Sequence, residues 1–471
     1  MRILKLGACA GVLLWGMVFV GAQRGAGGAT LYEGARVVVG DGSAPIESGA
    51  LLVENGQILK VGKKGEVRPP AGATRVDLTG KTIIPALVNV HAHPGYELLT
   101  NHGYLFAAPE HYTPENLVDH LEREAFYGIG TVNDGGSAAV AIALQFQVDD
   151  AARKFRPHAQ FVLNAGIVPP NGGPDSILIK ATRPLHANYE VLRAPEARAA
   201  VQDVAAKNIK RIKMWFGDRG GSYPAMPHEV YDAVIDEAHK HGIQIHVHAT
   251  SLRDQKDALR AGADVIVHTL GNVKMDDELV ALVKDKKPYW TPVMGLGERS
   301  PLCTDANVPF VEQSLPAKIV ADVRAACNAN GGRGGSPAER AAAAAARAEN
   351  VKYNFTKMIE SGARLVFGTD TGVSPGWSFG FADHFELEHY VQLGLSPMDA
   401  IVAATSRPAQ TLGLPNVGML AEGKAADFVV LNANPLDDIR NTRDIASVYL
   451  HGAKLDRDGL LASWKKAGAS Q

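Results

Sequence analysis

The sequence predicts an α/β fold: a (β/α)8 TIM barrel with a small β-sandwich domain built from both chain ends. The barrel is predicted by apolar runs that alternate with helical patterns between residues 83 and 414. The sandwich is predicted by turn-rich β patterns at the two ends of the chain, residues 30–82 and 415–465. Eight apolar runs fit barrel strands, and they lie near residues 84, 131, 162, 212, 246, 266, 291 and 367.

The first 22 residues read as a signal peptide. Arg2 and Lys5 precede an apolar stretch that ends at Val20, and the small residues Gly21 and Ala22 follow it. We therefore expect cleavage near Ala22 and export to the periplasm or the medium. A retained membrane anchor is the alternative, although the stretch is shorter than the roughly 20 residues that a spanning helix needs.

The β-rich ends carry hairpin signals. In "LYEGARVVVGDGSAPIESGALLVENGQILKVGKKGEV" short β runs alternate with Asp-Gly, Ser-Gly and Asn-Gly turns. Near the other end, "KAADFVVLNANP" and "IASVYLHGAKL" repeat the pattern. We expect the two ends to complete one small sandwich.

Residues that can bind a metal stand at the ends of five apolar runs. His91 and His93 follow "KTIIPALVNV", and their spacing of two places both side chains on one face of a strand. A parallel barrel brings its strand ends to one face, so ligands distant in sequence can meet there. The set suffices for a two-metal hydrolytic centre. Its members are His91, His93, Lys213, His248, His268 and Asp370.

The overall charge argues against nucleic acid and membranes as partners, and a small-molecule substrate is the expected partner. With 48 basic and 50 acidic residues the net charge is -2, which gives no electrostatic footprint for nucleic acid or, once the leader is cleaved, for an anionic membrane. A homo-oligomer stays open. After leader removal two cysteines remain, Cys303 and Cys327, and the sequence leaves open whether they form a disulfide.

An insertion of low complexity, residues 329–348, lies between the seventh and eighth predicted strands. It joins a Gly-rich segment to an Ala-rich segment of high helix propensity. A solvated helical spacer is favoured over a specific lid.

Several phrases resemble the amidohydrolase superfamily, and within it the imidazolonepropionase-like, prolidase-related metal-dependent hydrolases. The resemblance covers nearly the whole mature chain. The phrases that carry it are "GKTIIPALVNVHAHP", "IKMWFGDRGG", "HVHATSLRDQKDALRAGADVIVHT", "VFGTDTG", "LGLSPMDAIVAATSRPAQTLGL" and "EGKAADFVVLNANP".

The resemblance implies a role for each ligand. His91 and His93 would hold the more buried of two divalent metal ions, and His248 and His268 the second. Lys213 would be converted by CO2 to a carbamate that bridges both ions, because an uncarboxylated lysine cation is a poor ligand. Asp370 would bind a metal and shuttle the proton. Zinc is the preferred ion.

Two near neighbours compete with these ligands. His246 shares a strand face with His248, but the distance to "LRDQKDALRAGAD" matches the family's ligand to His248. Lys210 lies three residues from Lys213 and hence on the opposite strand face. The family usually has Pro-Gly-Leu-Ile-Asp before its paired histidines, where this chain has Ala at the second position and Asn89 at the last. That departure concerns fine geometry rather than metal binding.

Candidate substrate residues follow the strand ends. Tyr96, Arg219 and Tyr223 lie on loops after predicted strands, and an arginine can clamp a carboxylate with two hydrogen bonds. A plain surface role stays open for each. His384 resembles a recurrent family position and is a candidate for a substrate contact or for a residue that supports the ligands.

The resulting hypothesis is an exported amidohydrolase that cleaves an amide or peptide bond in a dipeptide or N-acyl amino acid through attack of a metal-bridging hydroxide. The same centre acting on a cyclic amide, a lactone or an ester is the alternative, since fold does not separate these reactions. A non-catalytic binding or scaffold barrel is the third hypothesis, for which missing ligands would be the signature.

Overall fold

A computed structural model describes residues 28–296, 298–328 and 336–467. The predicted signal peptide, residues 1–22, lies outside the described residues, as do residues 329–335 of the predicted insertion. Across the described ranges, none of the helices combines the length and the apolar character that crossing a membrane requires.

The chain forms twenty strands and fourteen α-helices within the described residues. The strands are β1 (Thr30–Val37), β2 (Ile46–Glu54), β3 (Gln57–Lys63), β4 (Thr74–Asp77), β5 (Thr82–Pro85), β6 (Leu87–Ala92), β7 (Leu98–Thr100), β8 (Gly103–Leu105), β9 (Ile129–Asp134), β10 (Gln160–Val162), β11 (Ala165–Val168), β12 (Asn188–Glu190), β13 (Arg211–Trp215), β14 (Gln244–His248), β15 (Val265–Val267), β16 (Tyr289–Thr291), β17 (Arg364–Leu365), β18 (Phe428–Leu431), β19 (Ile445–Leu450) and β20 (Ala453–Lys454). The helices are α1 (Pro114–Phe126), α2 (Val140–Ala151), α3 (Ser176–Thr182), α4 (Ala194–Ala206), α5 (His228–Lys240), α6 (Leu252–Ala261), α7 (Asp277–Lys286), α8 (Val308–Val311), α9 (Ala317–Asn328), α10 (Pro337–Glu360), α11 (Phe381–Gln392), α12 (Pro397–Ala403), α13 (Ser406–Thr411) and α14 (Arg457–Ala467).

Parallel strands neighbour one another in chain order through the middle of the molecule, except that β12 lies on the outer side of β11. One sheet has the order β10-β9-β6, and a second runs β12-β11-β13-β14-β15-β16-β17. The second sheet returns to the first, because Val90 N donates to Phe367 O at 2.9 Å and Thr369 N donates to His91 O at 3.1 Å. Alternating parallel strands and helices confirm the predicted α/β class.

These strands are buried on both faces, as the continuous apolar runs predicted. Every residue of β6, β9 and β11 is buried. Helices supply the cover, and their ends are fixed by local chemistry: Thr113 caps α1 by accepting a hydrogen bond from Asn116 N, and Ser251 caps α6. Burial under helices is the usual condition of parallel strands.

A separate eight-stranded sheet joins the two chain ends. Its order is β20-β19-β18-β5-β1-β2-β3, with β4 beside β1. Its core contains Tyr32, Phe428 and Tyr449, and the last two rings stack with centroids 4.4 Å apart. The strand predicted near residue 84 as the first of the barrel is β5 of this sheet instead, so the predicted boundary at residue 82 is slightly early. Only Ala86 separates β5 from β6, the first strand of the parallel region. The sheet is therefore anchored directly to the first strand of the barrel region.

The region between β16 and β17 holds both features that the sequence left open. Cys303 and Cys327 form a disulfide bond. In the described part of the insertion, residues 341–349 are exposed along α10, which agrees with a helical spacer. The second half of α10 packs on the molecule, where Asn354 accepts from Met275 N and donates to Leu270 O and Val273 O. The helix therefore also supports the loop that follows His268.

Candidate metal centre

Three predicted ligands lie in contact at one end of the parallel strands. His91 belongs to β6, His93 follows it, and Asp370 lies five residues beyond β17. Asp370 Oδ1 is 3.3 Å from His91 Nε2 and 2.9 Å from His93 Nε2. The ligand atoms of the three residues lie within 4.8 Å of one another, and all three side chains are buried. This geometry suits a bound metal ion.

Lys213 projects into the same space from β13. Its side chain is fully buried, and Nζ is 3.4 Å from His91 Nε2 and 5.2 Å from the centroid of the Trp215 ring. Burial lowers the pKa of Lys213 to about 7. A large share of neutral amine is thus present at neutral pH, and the neutral amine is the form that reacts with CO2. Lys210 is exposed, in keeping with its predicted place on the opposite face.

His248 and His268 complete a second group of nitrogen atoms. Their ring centroids are 4.3 Å apart, and the His268 ring is 5.8 Å from that of His91. His268 Nδ1 lies 4.0 Å from Asp370 Oδ2. The competitor His246 is occupied elsewhere, since its Nε2 lies 2.9 Å from Gln244 Oε1. The geometry therefore agrees with His248 as the ligand.

The protonation states match those of metal ligands. Burial lowers the pKa of His91 to about 3 and also lowers the pKa values of His248 and His268. Burial by itself opposes ionisation of Asp370, but the contacts with His91 and His93 outweigh it and hold the pKa of Asp370 well below its usual range. Neutral imidazoles and a carboxylate are the forms that bind divalent cations.

Two glycines pack directly against the candidate ligands, where a side chain would collide with them. A Cβ atom on Gly135 would lie 2.4 Å from His93 Cε1, and one on Gly136 would lie 2.4 Å from Lys213 Cβ. His248 Nε2 is buried without a hydrogen-bond partner among the described residues. An unpaired buried nitrogen is costly unless something binds it. Imidazole and carboxylate donors grouped in this way fit a divalent metal ion.

The support of His93 was not predicted from the sequence. Its Nδ1 lies 2.8 Å from Ser137 Oγ, which in turn donates to Asp134 Oδ1 at 3.2 Å. Asp134 Oδ2 accepts hydrogen bonds from Gly136 N at 2.6 Å and Ala138 N at 3.1 Å. The only signal in the sequence is the polar "NDGGS" at the end of β9. Such a chain fixes the ring orientation of a ligand.

Asn89 supports His91, the other histidine of the pair. Its Oδ1 accepts from His91 N at 2.9 Å, while Nδ2 donates to Thr369 Oγ1 at 2.7 Å and to Asp383 Oδ1 at 2.9 Å. The departure from the family's aspartate therefore lies in a fully bonded position. It links β6 to the chain that carries Asp370.

Two predicted substrate residues do not reach the centre. Tyr96 is fully buried, and its hydroxyl donates to Ser137 O at 2.6 Å, so it packs behind His93. His384 uses both ring nitrogens in the interior, with Thr442 Oγ1 and Tyr127 O each 2.9 Å away. The structure therefore does not bring either residue together with the ligands, and a substrate contact for either stays a prediction. Long-range partners absorb these polar atoms, and strand-end position alone does not reveal them.

Arg219 and Tyr223 lie on the loop after β13, as predicted. The Arg219 guanidinium stacks 4.1 Å from the centroid of the Tyr223 ring. It donates from Nη1 to Pro174 O at 3.0 Å and from Nη2 to Gly173 O. Its charge also disfavours protonation of Lys213, whose pKa is lowered first by burial. A positive charge is thus fixed beside the ligands.

The chain is similar to known proteins in both sequence and fold. The sequence model of the amidohydrolase family matches residues 82–455. Imidazolonepropionase from Deinococcus deserti is 23% identical over 419 residues, which cover 84% of this chain and 88% of the relative. The structure of molinate hydrolase has a TM-score of 0.69 at 22% identity and covers 92% of this chain and 96% of its own. A Xaa-Pro dipeptidase with bound methionine has a TM-score of 0.67 at 22% identity, with 91% and 99% covered. The structural likeness establishes a shared fold of TIM-barrel type.

Proposed function

Because this chain belongs to the amidohydrolase family and is a metal-dependent hydrolase of carbon–nitrogen bonds, we propose that its substrate is a dipeptide or an N-acyl amino acid. The observation that carries the proposal is the Arg219 guanidinium, held beside the ligands by Gly173 O and Pro174 O. A fixed arginine is suited to pair with the carboxylate of an amino acid. The solved dipeptidase of the same fold agrees with that choice.

Two divalent metal ions, with zinc preferred, form the proposed cofactor. His91, His93 and Asp370 would hold one ion, and His248 and His268 the other. A carbamate on Lys213 would contribute oxygen ligands to both. In support, burial lowers the pKa of Lys213 to about 7, so that a large share of the amine is neutral at neutral pH, and Nζ lies 3.4 Å from His91 Nε2.

The residues of this chain then divide the work of hydrolysis. When bound, the ions would polarise the scissile carbonyl and lower the pKa of a water molecule. Asp370 accepts the proton of the attacking water at its carboxylate and delivers it to the departing amine nitrogen. Arg219 orients the substrate through its carboxylate. Asn89 and Ser137 hold His91 and His93 in place.

Two features of the architecture are proposed from the strand pairings: closure of the barrel and the sandwich form of the end sheet. We infer that the parallel strands from β6 to β17 close into a (β/α)8 barrel, supported by the hydrogen bonds between the backbones of β6 and residues 367–369. We also infer that the sheet from both chain ends folds as a β-sandwich, supported by its two separate apolar clusters.

Export is proposed from two features that agree. The leader of residues 1–22 has the pattern of a signal peptide. The disulfide between Cys303 and Cys327 fits an oxidising compartment. Mass analysis of protein recovered outside the cytoplasm should find the chain starting near residue 23 and the two cysteines linked.

A cyclic amide, a lactone or an ester is the alternative substrate for the same centre. These compounds need no carboxylate, so Arg219 would have no partner in them. A non-catalytic scaffold is not supported, because the chain belongs to a family of hydrolases, and the ligand atoms of His91, His93 and Asp370 lie within 4.8 Å of one another.

Turnover of matched substrates tests the proposal. We would compare dipeptides and N-acyl amino acids with the same compounds amidated at the carboxylate, and with lactones. The wild type should prefer the free acids, and Arg219→Gln should lower kcat/KM for them by roughly 100-fold, which corresponds to about 3 kcal/mol. Arg68→Gln is the matched control, since Arg68 is exposed on the remote sheet domain. Turnover of lactones alone would overturn the assignment.

A further inference from the structure

Three large apolar side chains are exposed on two of the connections that follow the parallel strands: Leu105 ends β8, Phe106 comes next, and Ile177 lies in the first turn of α3. Leu105 is 46% exposed, Phe106 59% and Ile177 41%. Leu105 and Phe106 follow β6 by way of the β7–β8 hairpin, and Ile177 follows β11. In a parallel barrel the loops after the strands share the face that carries the site. Exposed apolar groups that cluster beside a site often bind ligands.

The two connections are neighbours. Within the first, the Tyr104 and Phe106 rings are 5.1 Å apart between centroids. Asp175, which caps α3 by accepting from Ile177 N at 2.7 Å, acts electrostatically on the Tyr104 hydroxyl. The turn at Pro109–His111, just beyond Phe106, packs against α3. Phe106 and Ile177 therefore stand on neighbouring parts of one rim, which we call the apolar rim (Leu105, Phe106 and Ile177).

Short connections tie the apolar rim to the metal centre. Tyr104 OH donates to the buried carboxyl group of Glu97, which is only four residues beyond His93. On the other loop, Arg219 bonds Gly173 O and Pro174 O, directly before Asp175. The proposed carboxylate-binding arginine, on the loop after β13, is thus hydrogen-bonded to the segment that leads into Ile177.

We propose that the apolar rim binds an apolar acyl group or side chain of a substrate whose carboxylate pairs with Arg219. The inference rests on the proposed function and narrows it to amino acids that carry a large apolar substituent. A ligand pocket of this type combines apolar walls with a few fixed polar groups. A second copy of the chain is a poorer occupant, because stable interfaces bury about 800 Å² on each partner and three side chains offer much less.

Paired substrates of different acyl length test this inference. The kcat/KM values of N-acetyl and N-octanoyl derivatives of one amino acid would be measured for the wild type, Phe106→Ser and Ile177→Ser. Each variant should lose at least about 10-fold on the octanoyl substrate and stay within about twofold on the acetyl one. Val148→Ser is the matched control, because Val148 is 62% exposed on α2, away from the two loops of the rim.

The possible failures are distinguishable. If the wild type turns over neither acyl series, the proposed function fails. If it turns over both and the rim variants change them equally or not at all, the apolar rim has no role in specificity. A shift in molecular mass by light scattering with unchanged specificity would make the rim a subunit contact and overturn the inference. Octanoate binding to the metal-loaded protein, followed by calorimetry, should weaken in Phe106→Ser even without turnover.

Discussion

Asn89 Nδ2 donates a hydrogen bond of 2.9 Å to Asp383 Oδ1 in a fully buried layer beneath His91. Asp383 also interacts with the buried Glu124, and burial raises the pKa of Asp383 to about 7 and raises that of Glu124. An aspartate at position 89 would be a third buried acid and would repel this pair. The amide of Asn89 is therefore the residue that this interior requires.

Exchanging the amide and the acid tests this relationship. Asn89→Asp should lower the free energy of unfolding by roughly 1–3 kcal/mol, because it replaces a buried donor with an acid facing another acid. Adding Asp383→Asn to Asn89→Asp should recover much of the loss, since the amide then donates from the other side. Urea denaturation of the metal-free proteins measures both. A double variant less stable than Asn89→Asp alone would contradict the pairing.

Ser137 is expected to control metal affinity through His93. Ser137→Ala removes the partner 2.8 Å from His93 Nδ1 and should weaken metal binding by roughly 10- to 100-fold. Chelator competition with metal analysis gives the affinity. Ser43→Ala serves as the control, because Ser43 is exposed and bonds only with Asp41 in its own turn. Unchanged affinity in Ser137→Ala would refute the role of Ser137.

Lys213 should govern both metal content and the effect of bicarbonate. Lys213→Ala should bind less metal and lose turnover, while Lys210→Ala should behave as the wild type because Lys210 is exposed. Reconstitution of the metal-free wild type with metal should depend on bicarbonate. At constant CO2 it should proceed faster at pH 8 than at pH 6, because the neutral form of the Lys213 amine predominates above its pKa of about 7. Full metal content in Lys213→Ala would exclude a bridging role.

The same lysine predicts how stability depends on pH. Burial in the folded metal-free protein lowers the pKa of Lys213 to about 7, below the 10.5 that is usual for a lysine. Between these values the unfolded chain binds more protons, so the contribution of Lys213 makes the free energy of unfolding rise with pH. Below about pH 7 both states are protonated and the slope from this group vanishes. Lys213→Met should reduce the slope in denaturation measured from pH 7 to 10. An unaltered slope would count against the lowered pKa.

Gly135 is expected to tolerate no side chain. A Cβ atom there would lie 2.4 Å from His93 Cε1 and 2.9 Å from His91 Cε1, so Gly135→Ala must displace both rings and should abolish metal binding. Gly62→Ala is the matched control, because its Cβ would meet only ordinary contacts of 3.4 Å or more. Metal content measured after dialysis separates the two variants. Normal loading of Gly135→Ala would show that the rings can shift without cost.

The positions of the ligands were predictable because they follow local rules. His91 and His93 share a strand face through their spacing of two, and His248 and Asp370 come at or soon after strands whose apolar runs mark burial. Chain order in a parallel α/β fold then brings these ends together without any knowledge of side-chain contacts. Lys213 was separable from Lys210 by the same alternation of faces.

The supporting contacts were not predictable, since they join residues far apart in the chain. Asn89 and Asp383 are separated by 294 positions, and His384 and Tyr127 by 257. No periodicity encodes such pairs, so the interior partners of His384 could not be foreseen from its place before a helix. The pairing of Cys303 with Cys327 likewise depends on the path of the intervening chain.

The sequence by itself therefore determined the fold class, the order of the strands and the set of candidate ligands, because burial and strand alternation are written in neighbouring residues. Only the tertiary structure decided which polar groups face the centre and which are hydrogen-bonded elsewhere in the interior. Tyr96, whose hydroxyl donates to Ser137 O, is one of the latter. The physical reason is that a buried polar atom takes whichever partner the packing brings within reach, and that partner is set by the whole fold.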